Sequence, residues 1–118
     1  MRILVFGGDG MLGHELVRSW TGRHEVFATL RQDAASYAGV PGVPSHRSLY
    51  GVEVRSLQDV VSAVAQVKPE AVVNAVGIVK QRATAKESIP SLEVNALFPH
   101  RLAEVCLAAG ARVVQLST

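Results

Sequence analysis

The sequence predicts an α/β domain: an open parallel sheet with helices on both faces and strand order 3-2-1-4-5. Three observations carry this. Short apolar runs of strand length alternate with stretches of helical periodicity along the chain. The first run, ILVF at 3–6, leads straight into a glycine-rich turn and a helix-like stretch, GGDGMLGHEL. The run AVVNAV at 71–76 is almost continuously apolar, as strands buried on both faces of a parallel sheet are.

The elements follow in order. Residues 2–6 (RILVF) read as the first strand. A helix follows from Met11 to Trp20, with Leu12, Leu16, Val17 and Trp20 on one face and Gly22 as its stop. Residues 25–30 (EVFATL) form the second strand. Residues 31–50 contain Gly39, Pro41, Gly42 and Pro44 and no clean period, so they read as a loop with room for one helical turn. Residues 51–54 (GVEV) are expected as a short third strand. Ser56 is a plausible N-cap with Asp59 three residues on, and Leu57, Val60, Val61 and Val64 keep helical spacing up to Lys68-Pro69. The fourth strand at 71–76 gives way to a polar loop at about 77–88 and a long helix at about 90–109, ended by Gly110. Residues 112–117 (RVVQLS) are the fifth strand.

A chain of 118 residues suffices for one domain, which can bury about two-thirds of its unfolded surface. Aromatic residues are only 5%, so the core must rest on Val, Leu, Ile and Ala. The net charge of +2 comes without a basic run, which argues against a nucleic-acid partner. The single Cys106 forbids an intrachain disulfide, and no apolar run reaches membrane-spanning length. With no secretory leader at the start, the expected location is the cytoplasm, with no membrane partner. His14, His24, His46 and His100 share no metal-ligand spacing, so no metal is assigned.

The glycine turn admits two phosphate-binding readings. Gly8 and Gly13 have the separation of a mononucleotide loop, but His14 and Glu15 stand where Lys and Ser/Thr are needed. The other frame, Gly7-x-x-Gly10-x-x-Gly13, fits a Rossmann-like dinucleotide turn. Gly7 lets the chain leave the strand sharply, Gly10 lets a pyrophosphate approach the backbone, and Gly13 lets the helix pack close to the sheet. The N–H groups at the helix start, with Met11 and Leu12 opening it, then face the phosphates. The alternative is a strand–turn–helix whose glycines serve geometry alone. The position directly after an N-terminal strand favours the dinucleotide.

Ligands of such sheets sit beyond the C-terminal strand ends. That rim holds Gly7–Gly13, Leu30–Arg31, Asn74-Ala75-Val76-Gly77 on to Lys80, and Ser117-Thr118. Where an acid after the second strand would read the 2′-OH of NAD, this chain has Arg31, which suits the 2′-phosphate of NADP. Asp33 comes later, and Arg31 as a solvated loop charge is the plain alternative. NADP(H) is therefore expected ahead of NAD(H). Glu53 could accept from an adenine amino group or be a surface charge. Pro99 has no N–H, so the carbonyl of Asn95 loses its helical partner and a kink should follow, unless Pro99 simply opens the main helix.

Gly7-x-x-Gly10-x-x-Gly13, Asn74-Ala75-Val76-Gly77, Asn95 and Leu116-Ser117-Thr118, in this order and spacing, resemble the extended short-chain dehydrogenase/reductases, in particular their dTDP-4-dehydrorhamnose reductase branch. The resemblance covers the whole chain. It implies an NADP(H)-dependent reductase of a nucleotide-linked 4-keto sugar, with Thr118 as a catalytic hydrogen-bond donor beside Ser117. It also implies that the Asn95 carbonyl holds a water in a proton relay. The family's Tyr-x-x-x-Lys motif is absent: Pro41 follows Tyr37 by four, and Val54 follows Tyr50 by four. Residues 1–118 are thus expected to be the NADP(H)-binding part of a longer enzyme, lacking its substrate domain. The residues after Asn74 depart from the family's usual pattern, though Lys80, Arg82 and Lys86 make the loop cationic enough for a nucleotide-sugar diphosphate. The resemblance also implies a homodimer through the helix at about 90–109. Two alternatives share the fold: a nucleotide-sugar epimerase or dehydratase, which more often holds NAD, and a non-catalytic dinucleotide-binding subunit.

Overall fold

The computed structural model describes residues 1–8, 10–37, 47–76 and 92–116. Five parallel strands lie in the order β3-β2-β1-β4-β5: β1 (Arg2–Phe6), β2 (Glu25–Thr29), β3 (Ser48–Leu49), β4 (Ala71–Asn74) and β5 (Arg112–Gln115). Helix α1 (Met11–Trp20) joins β1 to β2, α2 (Leu57–Val67) precedes β4, and α3 (Phe98–Ala109) precedes β5. The alternation of side chains along β1 sorts the core into two faces. Leu4 and Phe6 pack with Val60, Val64, Phe98 and Leu102 under α2 and α3, with the Phe6 and Phe98 ring centroids 5.5 Å apart. Ile3 and Val5 pack with Val17, Val26, Ala28 and Val73 under α1. The expected order 3-2-1-4-5, with helices on both faces, is the observed one.

The third strand lies earlier than the sequence pattern suggested. Ser48 and Leu49 pair with Ala28 and Thr29, and the expected strand 51–54 is not a strand. Gly51 takes φ +69° and turns the chain. The Glu53 N–H then leaves the sheet to donate to Asp59 Oδ2 at 3.0 Å. Val52 and Val54 still pack on the core, so their apolar pattern reflects burial rather than strand pairing. The ladders of β2, β4 and β5 also stop earlier than expected, at Thr29, Asn74 and Gln115.

Helix ends follow local chemistry. Ser56 caps α2 by accepting from the Asp59 N–H at 3.2 Å. Lys68 closes the same helix in the left-handed region at φ +52°. Gly110 closes α3 at φ +75°, as expected. Gly22 does not act as a left-handed stop, because Thr21 ends α1 with helical dihedrals. At Pro99 the second of the two sequence expectations, the opening of the main helix, is the one observed. Pro99 lies in the first turn of α3, yet a π-helical turn, Glu93–Leu97, runs directly into it. The Phe98 N–H reaches back to the Glu93 carbonyl, a wider turn placed where Pro99 cannot donate. Among the described residues no helix is long and apolar enough to cross a membrane.

Candidate functional site

The strand registers bring five residues into one row at the C-terminal rim: Leu49, Thr29, Phe6, Asn74 and Gln115. The strand order reverses at β1, so the crevice between β1 and β4 is the topological switch point, where ligands of open α/β sheets bind. The glycine turn leaves β1 there. Thr29, almost fully buried, anchors it: its Oγ1 accepts from the Gly7 N–H at 3.3 Å and its carbonyl from the Gly8 N–H at 3.0 Å.

The glycines have different reasons to be glycine. Gly7 sits at φ +88°, and a Cβ on it would lie 2.8 Å from Val76 Cγ2. A Cβ on Gly13 would lie 2.0 Å from the Gly7 carbonyl oxygen, so Gly13 is what lets α1 approach the turn. A Cβ on Gly8 would meet that of Ala28 at 2.6 Å, a close approach the glycine spacing did not reveal. Gly10 has no such internal reason. Its backbone is extended at φ −79°, and among the described residues a Cβ there would meet only the Gly7 carbonyl oxygen, at an ordinary 3.5 Å. As the N-cap of α1 it offers no side-chain cap, and the first turn holds no acid. Met11, 92% exposed, and the partly exposed Leu12 flank this bare helix start. A helix start leaves N–H groups without intrahelical partners, and these, with the positive end of the helix dipole, favour an anion.

Asn74 faces inward. It is buried, its Nδ2 donates to Gln115 Oε1 at 2.7 Å, and its Oδ1 accepts from the Val76 N–H at 2.9 Å. Gln115 Nε2 donates onward to the Pro99 carbonyl at 3.3 Å. This relay ties the ends of β4 and β5 to the start of α3, and it sets Ala75 and Val76 against Gly7. Sequence reading missed Thr29 and Gln115. The only hint was a polar residue at the end of each apolar run.

Arg31 is exposed just past β2. The Glu53 carboxylate is held by Arg55, with Nη2 to Oε1 at 3.0 Å and the backbone N–H to Oε2 at 3.1 Å. The hydrogen bond from the Arg55 guanidinium is the main reason the Glu53 carboxyl lies below the usual carboxylate range. Asn95 is exposed within the π turn. Gly77, Lys80, Arg82, Lys86, Ser117 and Thr118 lie outside the described residues.

The RmlD substrate binding domain family matches residues 1–118. The chain belongs to this family. Solved structures share the fold of this RmlD-type chain. A UDP-glucose 4-epimerase of Thermus thermophilus in complex with NAD is 25% identical over 94% of the chain, with a TM-score of 0.78. A dTDP-4-dehydrorhamnose reductase of Clostridium acetobutylicum is 23% identical over 99% of the chain, with a TM-score of 0.73. A hypothetical dTDP-4-dehydrorhamnose reductase of Sulfolobus tokodaii is 20% identical over 99% of the chain, with a TM-score of 0.79. The RmlD-type chain spans 35%, 36% and 39% of these three proteins, respectively. No curated protein matches it in sequence. The resemblance drawn from the glycine, Asn74 and Leu116-Ser117-Thr118 motifs thus identified the right family.

Proposed function

We propose that this chain binds a nicotinamide dinucleotide across the β1–β4 crevice, NADP(H) ahead of NAD(H), as the cofactor-binding part of a reductase of nucleotide-linked 4-keto sugars. The observation that carries the binding claim is Gly10. Packing among the described residues accounts for Gly7, Gly8 and Gly13, and it leaves Gly10 without a reason. A pyrophosphate seated on the bare start of α1 supplies one, because any side chain at Gly10 would stand in its way.

On this reading Gly7, Gly10, Met11, Leu12 and Gly13 hold the pyrophosphate. Arg31 meets the 2′-phosphate, and Glu53 lies on the adenine side. Asn74 fixes the turn from which Ala75, Val76 and Gly77 face the nicotinamide half. The bound nicotinamide supplies or accepts the hydride. Thr118, with Ser117 beside it, donates a hydrogen bond to the sugar carbonyl, and Asn95 serves the proton relay. The acid itself lies outside residues 1–118, since neither Tyr37 nor Tyr50 has a Lys four residues on. The domain assignment and the cytoplasmic location belong to the same proposal.

Calorimetric titration of the full protein with NADPH and NADH tests binding, and loss of NADPH absorbance with a dTDP-linked 4-keto sugar tests turnover. Tight NADPH binding with sugar-dependent oxidation is the expected result. Tighter NADH binding with no net oxidation would favour an epimerase, the reading that the NAD-complexed Thermus thermophilus epimerase supports. Dinucleotide binding without turnover by the full protein would favour a non-catalytic subunit.

A further inference from the structure

A strap of backbone brings opposite charges together at the β2 end of the rim. The Val52 N–H donates to the Leu30 carbonyl at 3.1 Å, and the Gly51 N–H to the Gln32 carbonyl at 3.0 Å. These bonds bracket Arg31 and run the segment carrying Glu53 alongside it. Glu53 would be the natural internal partner of Arg31. Instead both its carboxylate oxygens accept from Arg55, at 3.0 and 3.1 Å. The Asp59 carboxylate fixes the Glu53 backbone, and Ser56 caps α2 directly after Arg55, so the geometry of the pair is built into the start of the helix. Arg31 makes no ion pair among the described residues.

We propose that Arg55 is a specificity-determining residue: by occupying the Glu53 carboxylate it keeps the Arg31 guanidinium available for a cofactor 2′-phosphate. The inference rests on the NADP(H) reading above. Its physical content is competition between anions for one cation. Without Arg55, the bare Glu53 carboxylate would attract Arg31 and repel a phosphate, and both effects weaken NADPH. NADH has no 2′-phosphate and feels neither. The field of Arg31 already reaches Glu53, as a smaller influence on its carboxyl than the Arg55 hydrogen bond.

The test is calorimetric titration of the full protein with NADPH and NADH, for wild type, Arg55→Gln, Glu53→Gln/Arg55→Gln and Arg31→Ala. Arg55→Gln should weaken NADPH roughly threefold to fivefold, the scale of one exposed charge pair, and leave NADH unchanged. Removing the carboxylate as well should bring the NADPH-to-NADH affinity ratio back to within about twofold of wild type, because an adenine contact of Glu53 is shared by both cofactors. A double variant whose ratio stays low would mean that Arg55 touches the phosphate itself, and would overturn the proposal. Equal weakening of both cofactors by Arg55→Gln would also overturn it, because a loosened strap or a lost adenine contact is indifferent to the 2′-phosphate. If Arg31→Ala shifts the NADPH-to-NADH ratio and Arg55→Gln does not, only the role of Arg55 falls. If Arg31→Ala leaves the ratio unchanged, the NADP(H) reading falls and takes this inference with it.

Discussion

Gly10 and Gly13 are three residues apart and answer to different forces, and substitution should separate them. Gly10→Val should be sterically tolerated, since the backbone is extended and the nearest atom to a Cβ among the described residues is 3.5 Å away. The variant should melt within about 1 kcal/mol of wild type, the scale of an N-cap change, and bind no dinucleotide in a calorimetric titration. Retained binding would make the turn purely structural. Gly13→Ala pushes a methyl to 2.0 Å from the Gly7 carbonyl oxygen, so α1 must shift. It should cost about 1–3 kcal/mol in urea unfolding, as overpacking does. For Arg31→Ala the expected loss is ~1–3 kcal/mol of NADPH affinity, the range of a hydrogen bond to a charged group, with NADH nearly unchanged. Equal losses for both cofactors would remove the 2′-phosphate assignment.

Among elements, the end of β4 shows how the rim is held. Asn74 bridges its own turn and β5, and Gln115 carries the bridge to the Pro99 carbonyl. Asn74→Leu would leave the Val76 N–H and the Gln115 amide oxygen without these partners. Gln115 is exposed and can turn to water, so the cost should be about 0.5–1.5 kcal/mol, for the part-buried bond to the Val76 N–H, read as a lower urea midpoint. Dinucleotide affinity should fall too, because Val76 sits directly against Gly7. An unchanged midpoint would mean that the relay is incidental. The end of α2 offers the opposite sign. Lys68 adopts φ +52°, a conformation that costs a residue with a Cβ and costs glycine little. Lys68→Gly should therefore raise stability by roughly 0.5–1 kcal/mol in thermal unfolding, and a fall would show that the Lys68 side chain matters more than its backbone.

Among the described residues, the π turn, α3 and β5 expose large apolar side chains. Leu107 is 83% exposed and Val114 49%, while Leu92 and Leu97 are exposed on or beside the π turn. Among the described residues β5 is an edge strand, with no strand paired beyond it. Edges and patches of this kind recruit cover. The 118-residue chain by itself should sediment as a dimer or larger species, with the helix at about 90–109 in the contact, and it should show no reductase turnover with NADPH and a nucleotide sugar. Positioned general-acid catalysis typically supplies ~10²- to 10⁴-fold in rate, and this chain carries no Tyr-x-x-x-Lys to deliver it. Turnover by a monomer would place the acid within these residues, with Tyr50 and His14 the first to mutate.

The sequence by itself determined the architecture. Continuous apolar runs, a glycine turn after the first of them and helical periods between them left one strand order, 3-2-1-4-5, and the family resemblance followed from motifs in register. Those signals are local and periodic, so they survive in one dimension. The tertiary structure decided what local pattern cannot hold. It moved the third strand to Ser48–Leu49, because the left-handed turn at Gly51 sends Val52 and Val54 to the core by another route. It gave Asn74 to Gln115, forty-one residues away in the chain, and Glu53 to Arg55 rather than to Arg31. It also separated Gly10 from the other described glycines of the turn, because only the neighbours of a missing Cβ show whether the protein itself needs the space. An apolar period reports that a residue is buried. Which partner meets it, and which surface is left open for a ligand, depends on contacts between segments far apart in sequence, and these exist only once the sheet has assembled.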